Sequence, residues 1–327
     1  MRLVGITTTV PIEIIMAGGA VPVDLNNLFI THPQRQRLVS EAENFGFPHN
    51  LCAWVKGIFQ VAKEAGIREV VGVTRGDCSS TEKLLEVYSM VGIKKIPFAF
   101  PASRSPDELN NELKRFAKYF RTTLAEAERA RQKLSGLRKK LAQLDRLTWQ
   151  SDQLSGGENH LWLVSGSDFN RDPQKFEREL DNFLAEAVKR KPFPQKIRLA
   201  YLGVPPVFDD LYSTLEQMGA RVVYNELQRE YAMLKPAKNL VEQYRNYTYP
   251  YDIFFRAREI ARQIKKRRVQ GIIHYAQTFC HRQIESMVFR KLFSLPILSI
   301  EGDCPGPLET RLRTRLEAFL EMLKAGN

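Results

Sequence analysis

A chain of 327 residues, of which 43% are hydrophobic and 26% charged, is long enough for two domains with separate cores. Its longest apolar runs, such as residues 96–102, are far shorter than the roughly 18 residues of a membrane-spanning helix, so we expect no membrane span. The net charge of +12 raises nucleic acid as a partner, but the surplus lies largely on amphipathic helices, which is typical of solvated faces. We therefore expect no nucleic-acid partner, and the charge could instead serve a phosphate-bearing ligand such as coenzyme A or an acidic protein.

The first part of the chain alternates between strand and helix patterns. It enters a strand-like run at residues 2–7 without the apolar core of a signal peptide, so we expect a cytoplasmic protein. The further predicted elements are helices over 11–17, 51–65 and about 79–90, and strands over 20–25, 69–73 and 96–100. This alternation predicts a parallel sheet with crossover helices over residues 1–104.

The pattern becomes helical over residues 105–194. Apolar residues recur at three- and four-residue steps up to residue 147, and residues 172–190 form another amphipathic helix before a Pro-rich linker. Strand and helix alternate again over residues 195–327, with predicted strands at 197–202, 220–224, 269–275 and 296–300. The predicted fold is α/β, with two Rossmann-like parallel-sheet domains joined by a long helical segment.

Four cysteines occur, at Cys52, Cys78, Cys280 and Cys304, and no two form a close pair typical of zinc or thioredoxin-like sites. Structural disulfides are not expected in a cytoplasmic chain. Free cysteines often pack as small buried hydrophobes. Count and spacing alone therefore favour packed thiols over metal ligands.

Two of these cysteines have matching surroundings, since residues 70–78 and 272–280 share one plan at a separation of 202 residues. In each, an apolar strand, a short loop and a cysteine precede a predicted helix, and Cys52 opens a helix of its own. Parallel sheets bind ligands at this edge, and a helix N-terminus favours the thiolate that ligates metals. A metal site becomes as plausible as packed thiols. Zinc remains an alternative, although structural zinc usually takes local pairs.

Further motifs occur along the whole chain, two of them within the matching segments. They are residues 11–22, the helix opening at Cys52, the Gly-Asp-Cys triplet at 76–78, Phe279-Cys280, and residues 301–303 and 310–319. Over nearly the whole length the chain resembles the 2-hydroxyacyl-CoA dehydratase family, the component B and C type subunits that include benzoyl-CoA reductase relatives. Residues 225–229, 247–252, 274–280 and 301–307 are most similar to the subgroup with double-cubane cluster proteins.

The resemblance implies an oxygen-sensitive [4Fe-4S] cluster between the two domains, held by Cys52, Cys78 and Cys280. It also implies an ATP-hydrolysing iron-sulfur activator that supplies low-potential electrons, and a homodimer or a heterodimer with a related subunit. The expected function is reduction of a small substrate, or dehydration of a 2-hydroxyacyl-CoA. A non-catalytic electron carrier or scaffold, and a cluster-free binding protein, are the alternatives.

The nature of the cluster stays open at this stage. A double-cubane [8Fe-9S] cluster would want about six thiolates, and one chain has four cysteines, so a single cubane is the simpler expectation. Cys304 is either a fourth ligand or a bystander. Glu13, His274 and His281 are candidate proton donors, although a helix-dipole role for Glu13 and a core or supporting role for each histidine are more common.

Overall fold

The computed structural model describes residues 2–326, and its first sheet has four parallel strands. These are β1 (Arg2–Ile6), β2 (Ala20–Asp24), β3 (Glu69–Arg75) and β4 (Lys94–Ala99). Their order is β2-β1-β3-β4, with Ile6 opposite both Asp24 and Val71. Residues 70–73 of β3 are buried without a break, as expected of a strand that is covered on both faces.

Helices cover the first sheet on both sides. Those in the first hundred residues are α1 (Ile12–Ala17), α2 (Leu25–Thr31), α3 (Arg35–Phe45), α4 (Ala53–Glu64) and α5 (Thr81–Met90). Helices α2 to α5 share a core with one face of the sheet, in which Phe29 and Phe59 are fully buried. The sequence pattern predicted no helix over residues 25–45, where α2 and α3 lie.

The middle of the chain is helical, as predicted. Its helices are α6 (Pro106–Tyr119), α7 (Leu124–Trp149), α8 (Gly156–Val164) and α9 (Pro173–Ala187). Capping boxes begin α7 at Thr123 and α8 at Ser155, each with a glutamate three residues on. The apolar faces of α6, α7 and α9 pack in one core with the other face of the first sheet, so this segment completes the first layered unit.

The second sheet repeats the plan of the first. It consists of β5 (Ile197–Gly203), β6 (Ala220–Asn225), β7 (Gly271–Gln277) and β8 (Ile297–Gly302). Its strands are parallel in the order β6-β5-β7-β8, which is the same arrangement as in the first sheet. The helices in this part of the chain are α10 (Leu211–Gln217), α11 (Glu226–Tyr231), α12 (Leu240–Asn246), α13 (Ile253–Lys266), α14 (Glu285–Leu292) and α15 (Thr310–Ala325). Of these, α12 packs in the core of the first sheet, where Tyr244 is fully buried.

Two parallel sheets with helices on both faces confirm the predicted α/β class with Rossmann-like halves. The internal match is also structural. Strand β7 begins and ends 202 residues after β3, and the same separation relates Cys280 to Cys78. Among the helices in residues 2–326, none combines the length and the apolar character that a bilayer crossing requires.

Candidate functional site

A cavity of about 130 Å³ lies where the carboxyl ends of the two sheets meet. The loops that line it follow β1, β2, β3, β5 and β7. In the first sheet β1 lies between β2 and β3, and in the second sheet β5 lies between β6 and β7. The chain therefore adds strands first on one side and then on the other side of β1 and of β5. This is the position at which open α/β sheets bind ligands.

Three cysteines distant in sequence line this cavity, namely Cys52, Cys78 and Cys280. Cys52 is the N-cap of α4, and Cys280 precedes a short 3-10 turn that leads into α14. Cys78 lies two residues before Ser80, the N-cap of α5. All three are partly buried, and each thiol is close enough to interact electrostatically with another. The structure therefore brings the three predicted ligands together, while their role as ligands stays a prediction.

Burial favours the protonated form of these three thiols, whereas their positions at helix N-termini led us to expect the thiolate. Desolvation raises the pKa of Cys52 to about 12 and that of Cys78 to about 11, and it also raises the pKa of Cys280. Backbone N–H groups act the other way; the Ser80 N–H donates to Cys78 Sγ at 3.4 Å. Desolvation is the larger effect, so a helix N-terminus alone does not make these thiols ionise. A bound cation would be needed to displace their protons.

The three sulfurs are not placed as ligands of a single metal ion. Among residues 2–326, no group of three or more His, Cys, Asp or Glu side chains is arranged to hold one metal ion. A cubane has a different requirement, since each cysteine binds a separate corner iron. The fit to a cluster therefore depends on the donor type and the shared cavity, not on convergence at one centre.

Two buried carboxyl groups, which sequence reasoning missed, meet beside the cavity. Asp24 lines it at the end of β2, and its backbone N–H donates to Asp168 Oδ2 at 2.8 Å. Ser167 donates to Asp24 Oδ2 at 2.6 Å. Desolvation raises the pKa of Asp24, and desolvation together with the Asp24 charge raises the pKa of Asp168 to about 7. The position of Asp24 at a strand end was a usable signal, whereas nothing in the sequence pattern pointed to Asp168.

A chain of contacts joins the loops that carry Cys78 and Cys280. The Tyr249 hydroxyl donates to Asp77 Oδ1 at 2.8 Å, next to Cys78. The Arg282 guanidinium, two residues after Cys280, lies 4.1 Å from the centre of the Tyr249 ring. Arg282 also donates to Glu285 at 2.8 Å. Tyr249 thus connects a loop of the first sheet to a loop of the second.

The other predicted site residues lie at different depths. His281 lines the cavity, whereas Glu13, His274 and Cys304 are outside its lining. His274 is buried within β7 with its ring 5.2 Å from that of Phe289, and burial lowers its pKa to about 4. Cys304 is exposed.

Glu13 has a structural environment of its own. It is fully buried and accepts hydrogen bonds from Arg138 at 2.6 Å, Gln243 at 2.7 Å and Tyr244 at 2.8 Å. Burial alone would raise the pKa of Glu13, but the Arg138 charge and the hydrogen bonds hold it below its ordinary value. These contacts tie α1 to α7 and α12.

Comparison with protein-family models matches residues 7–323 to the family described as 2-hydroxyglutaryl-CoA dehydratase, D-component. The match includes all four cysteines and every strand except β1. A search of curated proteins found no match.

Proposed function

The chain belongs to the 2-hydroxyglutaryl-CoA dehydratase D-component family, and on this premise we propose that it is an iron-sulfur protein of the dehydratase type. In this proposal Cys52, Cys78 and Cys280 hold a [4Fe-4S] cluster that receives low-potential electrons from an ATP-hydrolysing activator. A small substrate is reduced, or a 2-hydroxyacyl-CoA is dehydrated, in the same cavity. The observation that carries the proposal is the meeting of three sequence-distant cysteines at the carboxyl edges of both sheets.

The residues present fit such a group. Cysteine sulfur is the usual donor for iron-sulfur clusters, and the Ser80 N–H that reaches Cys78 Sγ is the kind of donor that adjusts a cluster's potential. The cavity of about 130 Å³ is close in size to a cavity of ~150 Å³ that accepts benzene, so a compact group has room. When bound, a cluster would supply one-electron transfer and an iron to which an oxygen of the substrate could coordinate.

Three cysteines line the cavity, and the fourth, Cys304, is exposed outside its lining. That arrangement supports a single cubane over a double cubane, which would need about six thiolates. A double cubane would require ligands from a second chain or from residues other than cysteine.

Asp24 and Asp168 are suited to the proton transfer that a dehydration needs. The hydroxyl group must leave with a proton to form water, and the neighbouring β-carbon must lose a proton, so one acid that gives and recovers a proton balances the reaction. With the pKa of Asp168 at about 7, the pair can hold one proton near neutral pH. Asp24 is the member that lines the cavity, and burial raises its pKa too, so its carboxyl would be the one to meet a bound molecule.

The lining favours an apolar acyl group. Its apolar side chains include Ile30, Trp54, Val55, Ile58, Leu84 and Val164. Asp24 and Asp77 supply no positive charge for a second carboxylate, and the one arginine in the lining, Arg282, is already bound to Glu285. We therefore expect a 2-hydroxyacyl chain without a terminal carboxylate to be preferred.

The experiment combines the reconstituted protein with an ATP-hydrolysing activator, a reductant and 2-hydroxyacyl-CoA thioesters under anaerobic conditions. One series of thioesters has apolar chains, and a second has chains of equal length that end in a carboxylate. Formation of 2-enoyl-CoA, faster with the apolar series, is the expected result. Cluster-loaded protein that forms no product from either series would contradict the enzyme proposal.

Because the family is that of one component of a dehydratase, one alternative is a subunit whose cluster passes electrons to the active site of a partner subunit. Such a chain would accept an electron from the activator without turning over alone. Product formed only after a related subunit is added would favour this alternative.

A further inference from the structure

A second cavity, of about 640 Å³, lies between α7, residues 229–237 and the end of α13. It shares no lining residue with the first cavity, which Cys52, Cys78 and Cys280 line and which is called the cysteine cavity below. Helix α11 separates the two, since its Tyr231 lines the cysteine cavity and its Arg229 lines the second cavity. Its volume falls within the roughly 300–1,000 Å³ that is typical of small-molecule sites. It is named the basic cavity below, because of the residues that line it.

Eight lining residues are basic and one, Asp145, is acidic. The basic residues are Arg131, Arg138, Lys139, Arg146, Arg229, Lys235, Lys266 and Arg267. Three of them, Arg131, Arg138 and Arg146, recur along α7 at intervals of about two turns, so they lie along one face of that helix. The opposite wall comes from the segment after α11 and from the end of α13.

Some of these cations are fixed in place by carboxylates. Arg267 and Arg229 both donate to Asp145, at 2.5 and 2.9 Å, and these two arginines hold its pKa down at about 2 against the effect of burial. Arg138 donates to Glu13 at 2.6 Å. Asp145 and Glu13 are therefore already neutralised by Arg138, Arg229 and Arg267. These three arginines are called the basic floor of the cavity below.

Arg138 is incompletely satisfied in that floor. It is only 7% exposed, and its Nε is buried without a hydrogen-bond partner among the described residues. A buried guanidinium N–H that has lost its water usually finds an acceptor, because leaving it unpaired costs about 1–3 kcal/mol. Because this Nε is shielded from solvent, Arg138 adds to the basic character of the wall and is not counted among the cations that contact a ligand.

Around this floor lie three cations that have no ion pair within residues 2–326, namely Lys139, Arg146 and Lys266. All three are exposed. Lys266 Nζ lies 5.1 Å from the centre of the Trp149 ring, which also lines the cavity. Several unneutralised cations around one cavity repel one another, and this repulsion would be relieved by a ligand with more than one negative charge.

We propose that the basic cavity binds a small molecule that carries a diphosphate group. Lysine and arginine bind phosphate oxygens through short, charge-assisted hydrogen bonds, and three free cations match the charge of a diphosphate better than that of a single carboxylate. A nucleoside diphosphate and the diphosphate of a coenzyme A thioester share this chemistry. The inference does not depend on the cysteine cavity or on a cluster.

The test is titration calorimetry of the full chain with inorganic pyrophosphate, then ADP, then coenzyme A. A salt concentration near 0.15 M, where the Debye length is about 8 Å, suppresses non-specific attraction. We expect saturable binding of one molecule per chain. The triple variant Lys139→Gln, Arg146→Gln, Lys266→Gln should bind about tenfold more weakly or worse, since even one lost charge-assisted bond has about that effect.

The matched control is the triple variant Lys133→Gln, Arg311→Gln, Lys324→Gln, which removes the same charge from exposed positions outside the basic cavity. It should bind as the parent does. Coenzyme A binding more tightly than ADP would identify the thioester as the source, and equal affinities would identify a nucleotide; both support the site. Equal weakening in the two triple variants, or no saturable binding of any probe, would overturn it. Because binding is measured without turnover, failure here is distinct from failure of the dehydratase proposal.

Discussion

Asp24 and Asp168 illustrate, at the scale of single residues, how burial sets protonation in the cysteine cavity. Their link runs through the Asp24 backbone N–H, and within residues 2–326 no cation donates a hydrogen bond to either carboxyl. A carboxyl whose pKa is higher in the folded chain than in the unfolded chain stabilises the fold while it is protonated. That contribution is complete below about pH 4 and is lost as the pH rises through about 7.

The substitution Asp168→Asn removes this titration but keeps an oxygen that can accept from the backbone N–H groups of Asp24 and Asn170. The free energy of unfolding of the parent should therefore fall more steeply than that of the variant between about pH 4 and about pH 7. Urea unfolding across this range measures both curves. Parallel curves for parent and variant would show that Asp168 titrates normally.

Tyr249 is the residue that joins the two cysteine loops, so its hydroxyl should matter more for cluster retention than for folding. The substitution Tyr249→Phe removes the bond to Asp77 but keeps the ring beneath Arg282. We expect the free energy of unfolding to fall by about 1–3 kcal/mol, as for other buried groups left without a partner. Iron should also be lost faster to a chelator.

The control for Tyr249→Phe is Tyr212→Phe, which removes a hydroxyl that donates to Asn225 at 2.9 Å and does not touch either cysteine loop. It should cost a similar amount of stability and leave the rate of iron loss unchanged. Equal rates of iron loss in the two variants would contradict a positioning role for Tyr249.

At the scale of elements, the end of β5 depends on a glycine. Gly203 has φ +107°, and a Cβ there would lie 2.0 Å from the Tyr275 carbonyl oxygen on β7. Gly203→Ala should therefore cost more than the roughly 1–3 kcal/mol of a strained backbone alone, because two strands that carry cavity loops must also separate. Thermal or urea unfolding measures the cost.

Gly219→Ala is the matched control, since Gly219 also has a positive φ, of +86°, but no atom lies within 4 Å of an added Cβ. It should cost only about 1–2 kcal/mol. Similar losses of stability in the two variants would mean that the close approach of β5 and β7 is not what requires Gly203.

The elements that could be predicted from sequence are those with a strong local pattern. Strands β3 and β7 are largely apolar runs that end in similar loops, and their match located Cys78 and Cys280 correctly at the carboxyl edges of the two sheets. Helices α2 and α3 were missed because α2 is short and polar at Asn26 and Asn27, and α3 has many charges. Tertiary packing rather than pattern defines both.

The site was only partly predictable for a related reason. Cysteines at strand and helix ends are conspicuous in a sequence, whereas Asp168 reaches Asp24 from a loop inside the helical segment. Glu13 looked like a site residue because it begins a helix near a strand end. Its partners Arg138 and Gln243 come from α7 and α12, and long-range contacts of this kind have no local signal.

At the scale of the whole molecule, two sheets of the same order face one cavity, and the cysteines come from both. Cys52 and Cys78 belong to the first half and Cys280 to the second. A group bound by all three would therefore link the halves in addition to the contact through Tyr249. Because ligand binding stabilises the folded state, the loaded chain should unfold at a higher temperature than the same chain after chelation.

The most direct test of the account is the iron and acid-labile sulfide content of anaerobically reconstituted protein, compared between the parent and four serine variants. The parent should contain about four irons and four sulfides per chain. Cys52→Ser, Cys78→Ser and Cys280→Ser should each lose most of the iron, and Cys304→Ser should retain it, because Cys304 is outside the cavity lining. No iron in the parent, or equal loss from Cys304→Ser and the other three variants, would contradict the central claim that the cysteine cavity holds the cluster.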